Sequence, residues 1–486
     1  MQLLDIRQLA TRSALLLSLG LAVGACNKAV NVEPSNAITS ANGYATRDDV
    51  TAGLLGCYDA LQATDYYGVA YPSMVGLISG EITFRGTFTT TFGVIGSNQV
   101  LPDNIQVGNT WNAIYTGINR ANYLIQEATK LNDPAFTTKN AAIAEARALR
   151  AYHYMNLLAF WGGTTQGYGY SGGLGVPLRL TATNNITTDV VAVPRSSEAD
   201  VATAIRSDLD YAIANLPTAV GSRLSQSAAL ALRARFELRM RNYADALTYA
   251  QRVPALSNFT TAGLTGTSAP DALWQIAFSN TDQNSYAFYW YPSPGGRNEF
   301  DPSTALNNAH PTGDLRRPIN FVSAVTQVTV GSNAFTLQPG TTQKYYRTSS
   351  RDDPFNAVRY AEVVLTIAEA AAQTGDIATA VAQDNIIRVR AGLLPYVVGT
   401  APTPAPSPAV AIYVSATAAP TTILQDILLQ RRLELAHEGH YWFDLRRTNT
   451  VQTALPAYTQ NFRNLFPIPN REVTLTNGLI AQNPQY

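Results

Sequence analysis

Along this chain, stretches with apolar residues every three or four positions alternate with long stretches that have no period. In "VTAGLLGCYDALQATD" (50–65) Leu54, Leu55, Tyr58 and Leu61 fall on one helical face. "TWNAIYTGINRANYLIQEATKL" (110–131) aligns Trp111, Ile114, Tyr115, Ile118 and Asn122, and the alanine-rich "KNAAIAEARALRAYHYMNLLAFWGG" (139–163) stops at Gly162 and Gly163. Ser197, three residues before Asp200, caps the next helix, which ends at Pro217. Helical hairpins follow at 225–253 and 358–391, and a last helical pattern covers 422–439. The segments 66–109 and 255–357 are rich in glycine, threonine and aromatic residues, with short extended runs such as "LWQIAF" and "AVTQVTV". The pattern predicts a mainly α fold of paired helices carrying a large irregular, loop-rich lobe.

The two hairpins resemble one another. "NYADALTYAQRV" (242–253) and "DIATAVAQDNII" (376–387) open their second helices, with Ala246 and Ala380 each two residues after another alanine. Small side chains there let antiparallel helices approach closely, as in tetratricopeptide repeats, although long insertions break the period.

Charge and cysteine usage narrow the function classes. The chain of 486 residues has 34 basic and 34 acidic side chains, so it carries no basic excess of the kind that binds nucleic acid. Residues 1–25 read as a leader: Arg7 and Arg12 precede the apolar run "SALLLSLGLAV" (13–23), too short to cross a bilayer that needs ~20 residues. The run ends in "VGAC", which looks like a lipobox with cleavage before Cys26 and lipid on its sulfur. Several acyl chains make a durable anchor where a single chain does not. Cys57 is then the one other thiol, at helical spacing among apolar residues, and reads as a buried small hydrophobe.

Several stretches raise the question of chemistry. "QRRLELAHEGHYWFDLRR" (430–447) crowds His437, His440, two glutamates and an aspartate among arginines and rings. Zinc helices place two histidines four apart, whereas here the spacing is three and Gly439 interrupts the helix. The structural reading fits better: Leu424, Ile427, Leu428 and Leu435 form an apolar face, Arg431 pairs with Glu434, and a nearby arginine clamps Asp444. "GYSGG" (169–173) spells a nucleophile elbow around Ser171 but lacks the strand before and the helix after. No phosphate loop, Cys-x-x-Cys or dinucleotide fingerprint appears, so neither metal nor cofactor is expected. The irregular stretches are more suggestive. "TDYYG" holds Tyr66 and Tyr67, "EITFRG" holds Glu81 and Arg85, and "SYAFYWYPSPGGR" holds Tyr286, Tyr289, Trp290, Tyr291 and Arg297. Rings exposed on loops stack on sugar C–H faces, and neighbouring polar groups bond hydroxyls. The same rings can equally pack a loop onto the body.

The motifs occur in a collinear series: the lipobox, "NVEPSNAIT", "WNAIYTGINRAN", "AEARALRAYHYMNLL", "GVPL" then "VPRSSEADV", "RYAEVVLTIAEA", "IIRVRAGL", "RRLELAHEGHYWFDLRR" and "LFPIPNRE" through "QNPQY". This series resembles the SusD/RagB family of outer-membrane lipoproteins over nearly the whole of 26–486. The resemblance implies tetratricopeptide-like helical pairs, with the ligand site in a lobe drawn from 66–109 and 255–357. It also implies a lipid-anchored, outward-facing protein that binds a nutrient, commonly a glycan, and caps a SusC-like TonB-dependent transporter. No reaction is implied. The chain departs from the family pattern at Gln430, at Tyr441 and in the Pro/Ala/Thr insert 399–410. Ligand residues are poorly shared across the family. The nine aromatic and polar residues named above, Tyr66 to Arg297, are therefore the expected ligand contacts by region and chemistry alone. Two other readings stay open: a helical scaffold that binds only proteins, and a surface glycoside hydrolase with two converging acids.

Overall fold

The helices follow the periodic stretches because each stretch has one face to bury. A computed structural model describes residues 43–184, 189–218, 221–256, 259, 269–330, 333–404 and 407–486. The leader and Cys26 lie outside the described residues, and every element below belongs to the body Thr46–Tyr486. The helices used here are α1 (Arg47–Gln62), α2 (Ala70–Ile78), α3 (Ile105–Lys130), α4 (Lys139–Trp161), α5 (Glu198–Asn215) and α6 (Gln226–Arg239). They continue with α7 (Tyr243–Gln251), α8 (Tyr286–Trp290), α9 (Tyr360–Thr374), α10 (Ile377–Arg390), α11 (Ala419–Glu434) and α12 (Tyr441–Arg447). Local chemistry sets their starts: Thr46 and Asp49 form a capping box on α1, and the Ser197 hydroxyl accepts from Asp200 N on α5.

Consecutive helices lie against one another from α3 to α7; α7 then meets α9, which packs on α10 and α11. Ala246 is fully buried with Leu238 and Ala370, and Ala380 with Ala368 and Ala371. The small residues shared by the hairpins therefore do sit at the helix contacts. Cys57 is buried in α1, and burial pushes its thiol up to about 12. α2 departs from the expectation of an irregular stretch over 66–109. All nine of its residues are buried, so no polar face gave it a readable period.

The described strands form only two-stranded sheets. One of them builds the irregular lobe: β1 (Ile82–Phe84) pairs antiparallel with Phe300–Pro302, bringing the two unperiodic segments together. The C-terminus straps the surface, with Trp161 Nε1 donating to Pro467 O at 2.9 Å and Asn483 Nδ2 to Phe466 O at 2.7 Å.

The stretch 430–447 is internal. Arg359 bonds Glu434 and Glu438 at 2.9 Å each, Arg390 bonds Glu434 at 2.9 Å, and Arg235 bonds Glu362 at 2.6 Å. Burial alone would raise Glu434, but Arg390, Arg359 and Arg316 hold its carboxyl far below the usual range. Arg447 clamps Asp444 at 2.8 Å and Glu369 at 2.7 Å. Two expectations are corrected. Arg431 turns to Asp444 and Glu362 rather than to Glu434, and the buried face of α11 is Ile423, Asp426, Ile427, Gln430 and Glu434 rather than Leu424 and Leu428. Acids and amides on the inward face, satisfied by arginines from other elements, disguised its phase. His437 Nε2 meets Asn320 O at 3.1 Å, and His440 is buried 3.9 Å from Glu362. Among the described residues no group of three or more His, Cys, Asp or Glu is placed to hold a metal ion.

Candidate ligand-binding shelf

The site is best approached from Gly86. A Cβ there would fall 1.5 Å from the Glu299 carboxylate, so only glycine lets the chain cross that acid. Glu299, which is 1 % exposed, accepts from Thr87 N at 2.9 Å and from Arg297 at 3.1 Å. The acid thus fixes the loop 85–93 against the end of α8.

On that base a shelf of rings is laid out. Phe88 stacks on Tyr289 with centroids 6.2 Å apart and planes at 25°. Tyr289 stacks in turn on Phe300 at 5.4 Å, and Phe92 closes the back edge-on to both. Two guanidinium groups cover neighbouring rings: Arg297 lies 4.4 Å over Phe88 and Arg351 4.9 Å over Phe288. Arg85 stands at the side on Asp301 at 2.9 Å, its side chain 59 % exposed. Burial raises the Asp301 carboxyl, and Arg85 pulls it back. Burial also raises the Tyr289 phenol, whose hydroxyl makes no hydrogen bond among the described residues. Half-buried rings flanked by partly exposed arginines and an acid suit a polar ligand with one apolar face.

Six of the nine expected contacts are elsewhere. Tyr66, Tyr67, Glu81, Tyr286, Trp290 and Tyr291 are at most 3 % exposed and present no face to a ligand. Tyr66 and Tyr67 hydroxyls accept from Asn156 Nδ2 at 2.6 and 2.9 Å. Tyr286 lies flat on Tyr345 at 4.1 Å and donates to Tyr67 O. Trp290 packs edge-on to His437 at 5.0 Å, and Glu81 is an internal partner of Arg432 at 3.0 Å. Helical geometry is the reason: α8 turns Tyr286, Ala287 and Trp290 inward and leaves Phe288 and Tyr289 half-exposed. Tyr289 and Arg297 do meet over Phe88, while Arg85 stands at the side on Asp301. Sequence reasoning missed Phe88, Phe288, Asp301 and Arg351; the one signal for Phe88 is its place in "RGTFTTTFG", three residues after Arg85. Ser171 is exposed on a turn followed by the strand Leu174–Pro177, with no helix behind it.

The family model described as "SusD family" matches residues 277–486, and one described as "Starch-binding associating with outer membrane" matches 87–238. SusD-like protein P38 of Formosa agariphila is 25 % identical, covering 97 % of this chain and 98 % of its own length. SusD-like protein P2 of the same organism is 24 % identical over 91 % of this chain and 93 % of its own. Among solved structures, a SusD superfamily protein from Bacteroides vulgatus superposes with TM-score 0.71 at 20 % identity, covering 91 % of this chain and 100 % of that one. A laminarin-binding SusD-like protein gives 0.69 at 22 % identity, with 91 % and 100 % coverage.

Proposed function

The chain belongs to the SusD family, and from that premise we propose that it is a cell-surface lipoprotein that captures a glycan on the Phe88–Tyr289 shelf. Cys26 anchors it to the outer membrane, and it hands its cargo to a SusC-like TonB-dependent transporter. It changes no bond in the cargo. One observation carries the reading: stacked, half-exposed rings with arginines at their rim, held up by a buried acid beneath Gly86. The laminarin-binding neighbour and the starch-binding description support a β-glucan or α-glucan as first ligands to try.

The energetics suit capture and release. A stacked ring contributes ~1 kcal/mol. Two or three rings with a few hydrogen bonds give roughly 4–7 kcal/mol, a dissociation constant from about 1 mM to about 10 μM. Repeated engagement along a polymer supplies the remaining grip.

Affinity gels containing laminarin or starch provide the test. The wild-type chain is expected to be retarded and the Phe88→Ala/Tyr289→Ala double variant to run free, with equal melting temperatures. A double variant retarded as strongly as wild type would overturn the shelf as the site. Product sugars released from either polysaccharide would favour the hydrolase reading instead.

A further inference from the structure

Away from the shelf rings, a trough runs along the outward face of α3. It consists of two confluent cavities of about 510 and 480 Å³, both lined by Asn112 and Glu472. One wall is α3 itself. The other is the C-terminal strap around Pro469–Leu475, continued by the segment 177–183. None of Phe88, Tyr289, Arg85 or Arg297 lines it.

Both walls are pinned by hydrogen bonds. At the head, Asn470 N donates to Pro102 O at 2.8 Å. At the far end Tyr115 donates to Pro177 O at 2.8 Å. The buried Asn122 amide donates to Arg179 O at 3.0 Å and Thr181 O at 3.1 Å, and Arg150 holds its oxygen at 2.7 Å. The trough is therefore preformed and needs no ordering on binding.

Its polar groups, by contrast, are unspent. The side chains of Asn109, Asn112 and Glu472 make no hydrogen bond among the described residues. Among the described residues Arg179 commits its side chain to Val191 O alone, at 2.7 Å. Amide, carboxylate and guanidinium are planar groups that reach two adjacent hydroxyls at once. They face a floor that includes the half-buried ring of Tyr115, which is backed by the buried Trp111 at 5.0 Å. A dry protein interface would leave such groups unpaired at a cost, whereas a hydroxyl-rich chain satisfies them.

Trough and shelf share a joint. Asn104 caps α3 at the trough's head, accepting from Val107 N at 3.0 Å, and its amide donates to Thr91 O at 3.2 Å in the shelf loop. We propose that the trough is a second carbohydrate subsite, holding a distal segment of the same polymer that rests on the shelf. This inference rests on the glycan reading of the shelf. It makes the protein a two-point clamp that favours long chains over short ones.

The experiment compares chain lengths on the full chain. The probes are laminarin, starch, xylan, mannan and alginate in affinity gels, with di- and trisaccharides of whichever is retained. Asn112→Trp plugs the trough and Arg179→Ala removes its guanidinium. Asn112→Ala, with a melting temperature matched to wild type, guards against misfolding by the bulky variant. Expected is a loss of about tenfold in polymer affinity with the short sugars unaffected, as the loss of one of two linked contacts dictates. Tyr289→Ala is expected to weaken both. Unchanged polymer affinity in the trough variants, with Tyr289→Ala weakened, overturns the second subsite and leaves the shelf intact. Trough variants that keep polymer affinity but lose an outer-membrane protein in pull-downs assign the trough to that protein and overturn the inference. Wild-type protein that retains none of the polymers overturns the inference together with the reading it rests on.

Discussion

Arginine covers aromatic rings in two regions of this molecule, at nearly the same distance and with opposite consequences. Arg446 lies 4.4 Å over Tyr168, and Arg297 lies 4.4 Å over Phe88. Arg446 is 1 % exposed, and its terminal nitrogens donate to Ala159 O at 2.6 Å and Gly162 O at 2.9 Å. The Arg297 side chain is 38 % exposed and shares its position with solvent. Both are a guanidinium over a ring, and Tyr168 also accepts from Arg446 Nη1 at 2.6 Å, but burial makes the first a structural tie and exposure leaves the second able to bond an incoming hydroxyl. Function here is assigned by what remains unsatisfied, and composition alone does not reveal that.

The largest effect should come from the buried side. Arg447→Ala strips Glu369, fully buried, of its only cation among the described residues. An uncompensated buried charge costs roughly 3–5 kcal/mol. For a chain of this size the melting temperature should fall by about 3–5 °C. Trp290→Ala should follow, since an indole 1 % exposed leaves a cavity worth about 3 kcal/mol or more. Calorimetry checks both, and either variant melting like wild type would place that side chain outside the core.

In the buried network Asp384 forms no ion pair with a cation among the described residues. Neither oxygen of Asp384 receives a donor from the described residues, and the Asp426 carboxyl lies alongside. Burial first, then Asp426, pushes the Asp384 carboxyl up to about 9. The folded protein therefore keeps a proton that the unfolded chain, with a normal aspartate at ~3.9, releases. Unfolding sheds a proton across that window, so stability should fall as pH rises from about 4 towards 9. Asp384→Asn should remove this dependence. Melting curves at pH 6 and pH 8.5 that change equally in both proteins would show that Asp384 titrates normally.

The same contrast explains what could be read from the sequence. The faces of α3, α7 and α10 were legible because each has one wet side, and Trp111, Ile114, Ile118 and Asn122 are buried as their spacing predicts; α6 and α9, buried without a break from Ser227 to Leu238 and from Ala361 to Ala371, were legible through long alanine-rich runs of good helix formers. α2 was illegible because it has no wet side and, at nine residues with Pro72 and Gly76 among them, lacks the length and helix formers that gave away α6 and α9. In "SYAFYWY" five rings read as equivalent while the segment was taken for a loop. Once it is a helix, Tyr286 and Trp290 share a face one turn apart, and Tyr289 sits between them on the other. Phe88 and Asp301 join the site only through the β1 pairing of Thr83 with Asp301 and Phe84 with Phe300, a contact between residues more than two hundred positions apart. No local pattern encodes that.

On the exposed side the effects should be smaller and should fall on binding. Tyr289→Ala removes one stacked face, ~1 kcal/mol, so affinity for a bound glycan should drop about fivefold. Its melting temperature should stay close to wild type. Titration calorimetry with the retained polysaccharide separates this from Trp290→Ala, one residue along the chain, which should lose stability first.

The smallest effect, and the sharpest contrast with Arg447, belongs to Arg85. Its side chain is 59 % exposed and its one ion pair, to Asp301 at 2.9 Å, lies at the shelf edge. Exposed pairs of this kind contribute about 0–1 kcal/mol, so Arg85→Ala should unfold within a degree or so of wild type. Its guanidinium donates to Asp301 through Nε and keeps other donors that this bond does not use. Losing a bond from one of them to a hydroxyl should weaken glycan binding about two- to fivefold. Arg85→Lys should not restore it in full, because an ammonium cannot bridge Asp301 and a ligand with one planar fork. If Arg85→Ala lowered the melting temperature as Arg447→Ala does, the two regions would be one kind of structure, and the shelf would be cement that happens to reach the surface.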